Sequence, residues 1–233
     1  NYFESNIRNI DKPTLMLVYV DIAEIYLTMA RNLEEKIVCD GDGSMIDYDD
    51  WSDKDLKKLE ELQVKALNSF LNAKLLMEEI DIDDKKLYSE VSFKYLRLLY
   101  LNRTEVDESD SILTTEINSL IDFNKSFFGE NNYRTAACLY LKAGIEEYNT
   151  DEFITYQTLT SAYLVFKRAT YSPKELEQYS TRIEMDAMAY RWRLRAFLNL
   201  LKTSVSDDDN RMDPERSKLV MDILKNEVSP NMD

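Results

Sequence analysis

The sequence predicts an all-α protein, an antiparallel helical bundle of about eight or nine helices in a single domain of residues 1–233. Three observations carry that expectation. The chain holds only 4 Gly and 4 Pro in 233 residues, where an average sequence carries roughly 12% of these two together. It is nevertheless 44% hydrophobic, enough to bury a core. Its apolar residues recur at spacings of three and four, the period of a helix face, and not at the alternation of a half-buried strand.

Element by element, Pro13 sets the first boundary. Leu15, Val18, Ile22, Ile25, Met29 and Leu33 follow at helical spacing and predict one inward face. The acidic stretch Cys39–Trp51 holds two of the glycines and reads as a loop. Ser52 with Asp55 three residues on is a capping-box variant. It opens a helix with Leu56, Leu59, Val64, Leu67, Leu71 and Leu75 inward, ending near Glu79.

Asp81–Asp84 interrupts, and a helix over Tyr88–Asn102 follows, with Val91, Tyr95, Leu98 and Leu99 as its apolar positions. Arg103–Asp110 is a polar loop. Ile112–Phe127 is the next helix, stopped near Gly129. Helices over Tyr133–Tyr148 and Glu152–Thr170 come next. A long one follows Ser172-Pro173, a candidate N-cap with Pro at the first helical position, and reaches about Lys202. Asp207–Asp209 and Pro214 form a linker before a last amphipathic helix, Ser217–Val228. No exact repeat period is present.

Composition excludes several chemistries. With 29 Lys+Arg against 44 Asp+Glu the net charge is −15, which argues against a nucleic-acid partner, since phosphate-backbone binding needs a basic face. The chain has no His, so Ser-His-Asp and Cys-His nucleophiles, His-ligated zinc and His general bases are ruled out. Cys39 and Cys138 are far apart and predict reduced thiols. The longest uncharged apolar stretch, Thr14–Val20, ends at Asp21, far short of the roughly 18–20 residues of a membrane span. No signal peptide stands out, and without an initial Met the first residue is not expected to be the native start. The expectation is a soluble cytoplasmic protein with no membrane partner.

Few constellations suggest chemistry. Asp40-Gly41-Asp42-Gly43-Ser44-Met45 is similar to the middle of a calcium-binding EF-hand loop. Its first ligand position, however, is Val38 and its twelfth Asp49 in place of the longer Glu. A solvated acidic loop is expected, with no metal. Glu34/Glu35 and Glu146/Glu147 are adjacent on helices and do not face each other. No glycine-rich phosphate loop is possible with glycines so scattered. The most basic short segment is Arg191-Trp192-Arg193-Leu194-Arg195, which either pairs with carboxylates of its own fold or receives an acidic ligand. The 15 Tyr fall at helical spacing and read as packing. No catalytic residue and no cofactor is expected, and the chain reads as a non-enzyme.

Four blocks carry a family resemblance. Ala23-Glu24-Ile25-Tyr26-Leu27-Thr28-Met29 resembles the Ala-Glu-x-Tyr-x-x-Met of the second helix of 14-3-3 proteins. Ser217-Lys218-Leu219-Val220-Met221-Asp222-Ile223-Leu224-Lys225 resembles that family's C-terminal helix. Tyr140-Leu141-Lys142 with Gly144 is similar to its fifth, and Lys65 falls where its third carries a Lys. The blocks stand in the family's order. The resemblance implies a highly divergent member: a nine-helix cup that dimerises through its first helices and holds phosphoserine or phosphothreonine segments of partner proteins in a concave groove. A phosphate carries about −1.5 to −2 charges at pH 7, and Arg grips it bidentately.

Carried over residue by residue, the implied phosphopeptide site is depleted of cations. Lys65 is retained, and the Arg seven residues later falls on Asn72. The family's Arg-Tyr pair falls on Asn149-Thr150 or, in the other register, on Tyr148-Asn149. Lys142 matches a groove Lys. The last helix's groove Asn falls on Glu227, with Asn226 just before it. Losing two charge-assisted hydrogen bonds of roughly 1.5–3 kcal/mol each costs on the order of a thousandfold in affinity. Lys74, Arg134 and the Arg191–Arg195 cluster are the cations able to compensate. After Arg182 there is room for two helices where the family has three. The other reading is a tetratricopeptide-like helical-repeat scaffold for constitutive interaction, with Tyr133–Tyr148 and Glu152–Thr170 as one repeat.

Overall fold

A computed structural model describes residues 10–38, 52–103, 109–149, 152–169, 192–193, 196–197, 218–223 and 225. Six helices are described: α1 (Lys12–Val38), α2 (Asp53–Glu79), α3 (Lys85–Leu101), α4 (Ser109–Phe128), α5 (Tyr133–Asn149) and α6 (Glu152–Arg168). Residues 192–193, 196–197, 218–223 and 225 are helical as well, and no strand occurs among the described residues. The protein is all-α. The chain divides into two compact units, Asn1–Phe123 and Asn124–Asp233. The stretch Cys39–Trp51 and the region of Ser172-Pro173 lie outside the described residues.

Capping residues fix most of the helix boundaries. Asp11 caps α1, accepting from the Thr14 amide and the Thr14 hydroxyl, both at 2.9 Å. Those bonds hold its carboxyl below the usual carboxylate range. Ser52 caps α2 by accepting from the Asp55 amide at 3.2 Å. Its hydroxyl donates to the Asp55 carboxylate at 2.6 Å, so Asp55 reaches the cap side chain instead of the cap amide. Asp84 caps α3, and Asn132 caps α5 through the Arg134 amide.

The end of α2 is a Schellman motif. The Ile82 amide donates to the Met77 carbonyl and the Asp81 amide to that of Glu78. Asp81 sits at φ +45°, in the left-handed region. Gly129, at φ +84°, takes the same role after α4, with its amide on the Lys125 carbonyl.

In the first unit α1 and α2 pack antiparallel. Lys12 at the start of α1 bonds Glu79 at the end of α2, while Ala30 shares a cluster with Leu59 and Leu62. The core gathers Met16 and Ala23 of α1, Ala66, Phe70, Ala73 and Met77 of α2, and Val91 and Leu98 of α3. Lys94 of α3 bridges to Glu24 of α1 at 2.5 Å and to Glu90 at 2.9 Å. Phe123 of α4 lies 4.8 Å from the Tyr88 ring.

Two faces differ from the sequence expectation. On α1, Val18, Ile25 and Met29 are exposed, and the inward residues are Met16, Ala23 and Ala30. On α2, Val64 and Leu75 are exposed, and the buried seam runs Leu59, Leu62, Ala66, Phe70, Ala73, Met77. The reason is backbone approach: Ala at 23 and 30 faces a helix with Ala at 66 and 73, and small residues set the interaxial distance. A reading weighted to large side chains places the seam one position too far round.

In the second unit α5 and α6 form an antiparallel hairpin. Ala136 near the start of α5 meets Phe166 near the end of α6, and Ala143 meets Tyr156 and Leu159. Ala196 and Ile223 complete that cluster. Asn124 and Cys138 are fully buried, with the Asn124 amide donating to the Cys138 sulfur at 3.4 Å. Burial pushes the Cys138 thiol up to about 12, so it is an inert packing residue.

Candidate functional site

The sequence-predicted cations separate by environment. Lys65 lies exposed on α2, its ammonium 5.7 Å from the Tyr26 ring. Asn72 is exposed two turns further along α2. Lys74 is buried, with its ammonium 2.9 Å from the Glu78 carboxylate and 3.0 Å from that of Glu116. Burial opposes its charge, but the two carboxylates outweigh that and hold its pKa above the ordinary Lys value. Lys74 thus serves an internal ion triad.

In the second unit, Lys142 of α5 lies 3.7 Å from the Glu146 carboxylate one turn on. Arg134 stacks over the Phe128 ring at 5.2 Å, near the start of α5. Asn149 is the last residue of α5 and its side chain is not described. Thr150, Arg191, Asn226 and Glu227 lie outside the described residues. Within its own unit, then, the structure puts Lys65 and Asn72 on the exposed side of α2 and does not add the buried Lys74 to them.

Among the described residues of the second unit, a cleft is the candidate site. It encloses about 420 Å³ between α6 and the helical segment at 218–223. Phe153, Tyr156 and Leu164 of α6 and Leu219 and Ile223 opposite make it largely apolar, while Gln157, Thr160, Asp222 and Arg193 supply polar groups. That balance, an apolar lining with a few placed polar groups, is usual for binding sites.

Arg193 is the chemical centre of this cleft and only 8% exposed. Its Nε donates to the Thr160 hydroxyl at 3.0 Å and an Nη to the Tyr156 hydroxyl at 3.2 Å. The guanidinium also sits 5.5 Å from the Tyr156 and Tyr163 ring centroids. Hydroxyls and ring faces orient the guanidinium. The neighbouring Trp192 meets Tyr140 edge-on at 5.2 Å, anchoring the segment to α5. The result is a positioned cation in an apolar cleft of a chain with net charge −15.

Sequence reasoning reached the Arg191–Arg195 segment but not its counterparts on α6. The signal was present: Phe153, Tyr156, Thr160 and Leu164 recur at three- and four-residue spacing. The stripe reads as packing until the fold places Arg193 against it. For metals, no group of three or more Cys, Asp or Glu able to hold an ion occurs among the described residues.

α1 bears on the membrane expectation. With its charged residues counted in, Lys12–Glu34 is long and apolar enough to cross a membrane by length and composition. It nevertheless commits Met16, Ala23 and Ala30 to the core of its unit and Glu24 to an ion pair with Lys94.

Compared with protein-family models, with curated proteins and with solved structures, the chain finds no match in any of the three.

Proposed function

We propose that the chain is a non-enzymatic adapter that binds peptide segments of partner proteins, with the Arg193 cleft receiving a phosphorylated or acidic side chain. The observation that carries this reading is Arg193 itself, a buried guanidinium oriented by Thr160 and Tyr156 in a largely apolar cleft. A guanidinium fork matches carboxylate and phosphate oxygens, and a low-dielectric wall strengthens that attraction. Phe153, Leu164, Leu219 and Ile223 would take the apolar side chains flanking the anion. The 14-3-3-like cup and its phosphopeptide-binding role belong to this proposal on the strength of the four sequence blocks. In this reading Arg193 supplies a cation in the unit where the family's Arg has become Asn149 or, in the other register, Tyr148.

The test uses fluorescence anisotropy with a degenerate Arg-x-x-phosphoserine-x-Pro peptide pool and its unphosphorylated counterpart. Arg193→Gln is expected to weaken phosphopeptide binding by roughly 10–100-fold, and Arg193→Lys to recover only part, because it keeps the charge and loses the fork. Lys65→Glu is the competing variant, with helicity checked by circular dichroism. Loss of binding with Lys65→Glu alone would move the site to α2 and overturn the assignment to Arg193.

The helical-repeat scaffold stands as the second reading, favoured by the antiparallel pairing of α5 with α6, its proposed repeat. It requires binding that is indifferent to phosphate and to salt.

A further inference from the structure

The ring of Tyr163 meets two cations. The Arg193 guanidinium lies 5.5 Å from its centroid and the Lys167 ammonium 4.8 Å from it. Both cations are therefore held within about 10 Å of one another. The spacing along α6 produces this arrangement. Tyr156, Thr160, Tyr163 and Lys167 recur at intervals of four, three and four, which puts them on one face of the helix. Arg193 packs on the first three, donating to the Tyr156 and Thr160 hydroxyls, and Lys167 continues the face by one turn. Arg193 is buried and Lys167 exposed, so the pair leads from the interior of the cleft out to solvent.

Lys167 and Arg168 both stand in the last turn of α6, where cations complement the helix dipole. The dipole accounts for neither the Tyr163 contact of Lys167 nor its alignment with Arg193. Arg168 follows by about 100° of helical rotation and leaves that face.

We propose that the cleft selects a partner segment bearing two anions: the phosphorylated or acidic side chain received by Arg193, and a second carboxylate two residues from it, received by Lys167. This rests on the adapter reading and names the class of segment it takes. The spacing follows from chain geometry. In an extended segment, side chains two residues apart point to the same side at a separation of about 7 Å, which suits two cations tied to one ring. The residue between them points the other way. A chain of net charge −15 repels an acidic segment over most of its surface, so such a segment is held where cations gather. Asp222 also lines the cleft and repels an acid that strays from the two cations.

Fluorescence anisotropy on the full chain tests this with phosphoserine peptides that carry Glu, Ala or Lys two positions after the anchor. A second set carries the same residues two positions before it. One of the two sets is expected to rank Glu above Ala by about three- to fivefold, and Ala above Lys. Lys167→Glu is expected to reverse that ranking so that the Lys peptide binds best, with helicity by circular dichroism unchanged. Arg168→Glu makes the same change in net charge one residue on and is expected to keep the wild-type ranking. Equal binding of all three peptides in both sets overturns the proposal, and so does a wild-type ranking retained by Lys167→Glu. A reversal by Arg168→Glu as complete as that by Lys167→Glu also overturns it, since the preference would then be one of overall charge. Arg193→Gln separates the two claims, because the adapter reading expects it to weaken every peptide. If it does so while Glu, Ala and Lys bind alike, the second anion falls and the adapter reading stands; if it weakens none, both fall.

Discussion

Lys74 is a buried cation whose surroundings determine what pH does to the fold. Two carboxylates hold its pKa above the ordinary 10.5 despite its burial, and Glu24 and Glu90 do the same for Lys94. Burial and nearby carboxylates raise the Tyr88 and Tyr95 phenols above 10.0. Each group has a folded pKa above its unfolded one. Each therefore contributes stability that is complete below the unfolded value and lost as pH rises through the folded value. The urea midpoint is expected to hold steady from neutral pH to about 9 and to fall above about 10; a midpoint flat to pH 12 would contradict these assignments. Removing the cation with Lys74→Met is expected to cost about 1–2 kcal/mol, less than a fully buried pair because both carboxylates are partly solvated. Asp81 supplies an opposite case. An L-residue at φ +45° carries strain that Gly lacks, so Asp81→Gly is expected to stabilise by about 0.5–1 kcal/mol, read as a higher thermal midpoint.

At the scale of the element, boundaries were far more legible than faces. The cap at Ser52, the end near Glu79 and the stop at Gly129 stand where capping chemistry in the sequence puts them, because a cap is a local event decided by a few residues. Which side of α1 or α2 turns inward is decided by the partner helix. Ala23, Ala30, Ala66 and Ala73 are nearly silent in a hydrophobicity pattern, yet they are buried in the core of the first unit. Ala66→Leu is therefore expected to destabilise by about 1–3 kcal/mol through overpacking, and Phe70→Ala by about 3–5 kcal/mol through a cavity, both measured by urea unfolding. A neutral Ala66→Leu would show that α1 and α2 do not approach closely there. The candidate site divides in the same way. The basic segment around Arg193 is visible in the sequence, while its partnership with Tyr156 and Thr160, more than thirty residues earlier, depends on how the second unit folds.

At the scale of the molecule, the chain is acidic, without His, and all-α. Two of its surfaces are distinctive: the exposed apolar residues Val18, Ile25 and Met29 of α1, and the cleft where α6 meets Arg193 and the segment at 218–223. The adapter reading rests on the second. It is tested most directly by methyl NMR during titration with a phosphorylated peptide that binds in the anisotropy assay. The account predicts shifts concentrated at Leu164, Leu219 and Ile223, abolished by Arg193→Gln at the same peptide concentration. Shifts gathered instead at Leu67 and Leu71, beside Lys65 and Asn72 on α2, would contradict it and place the ligand on the first unit.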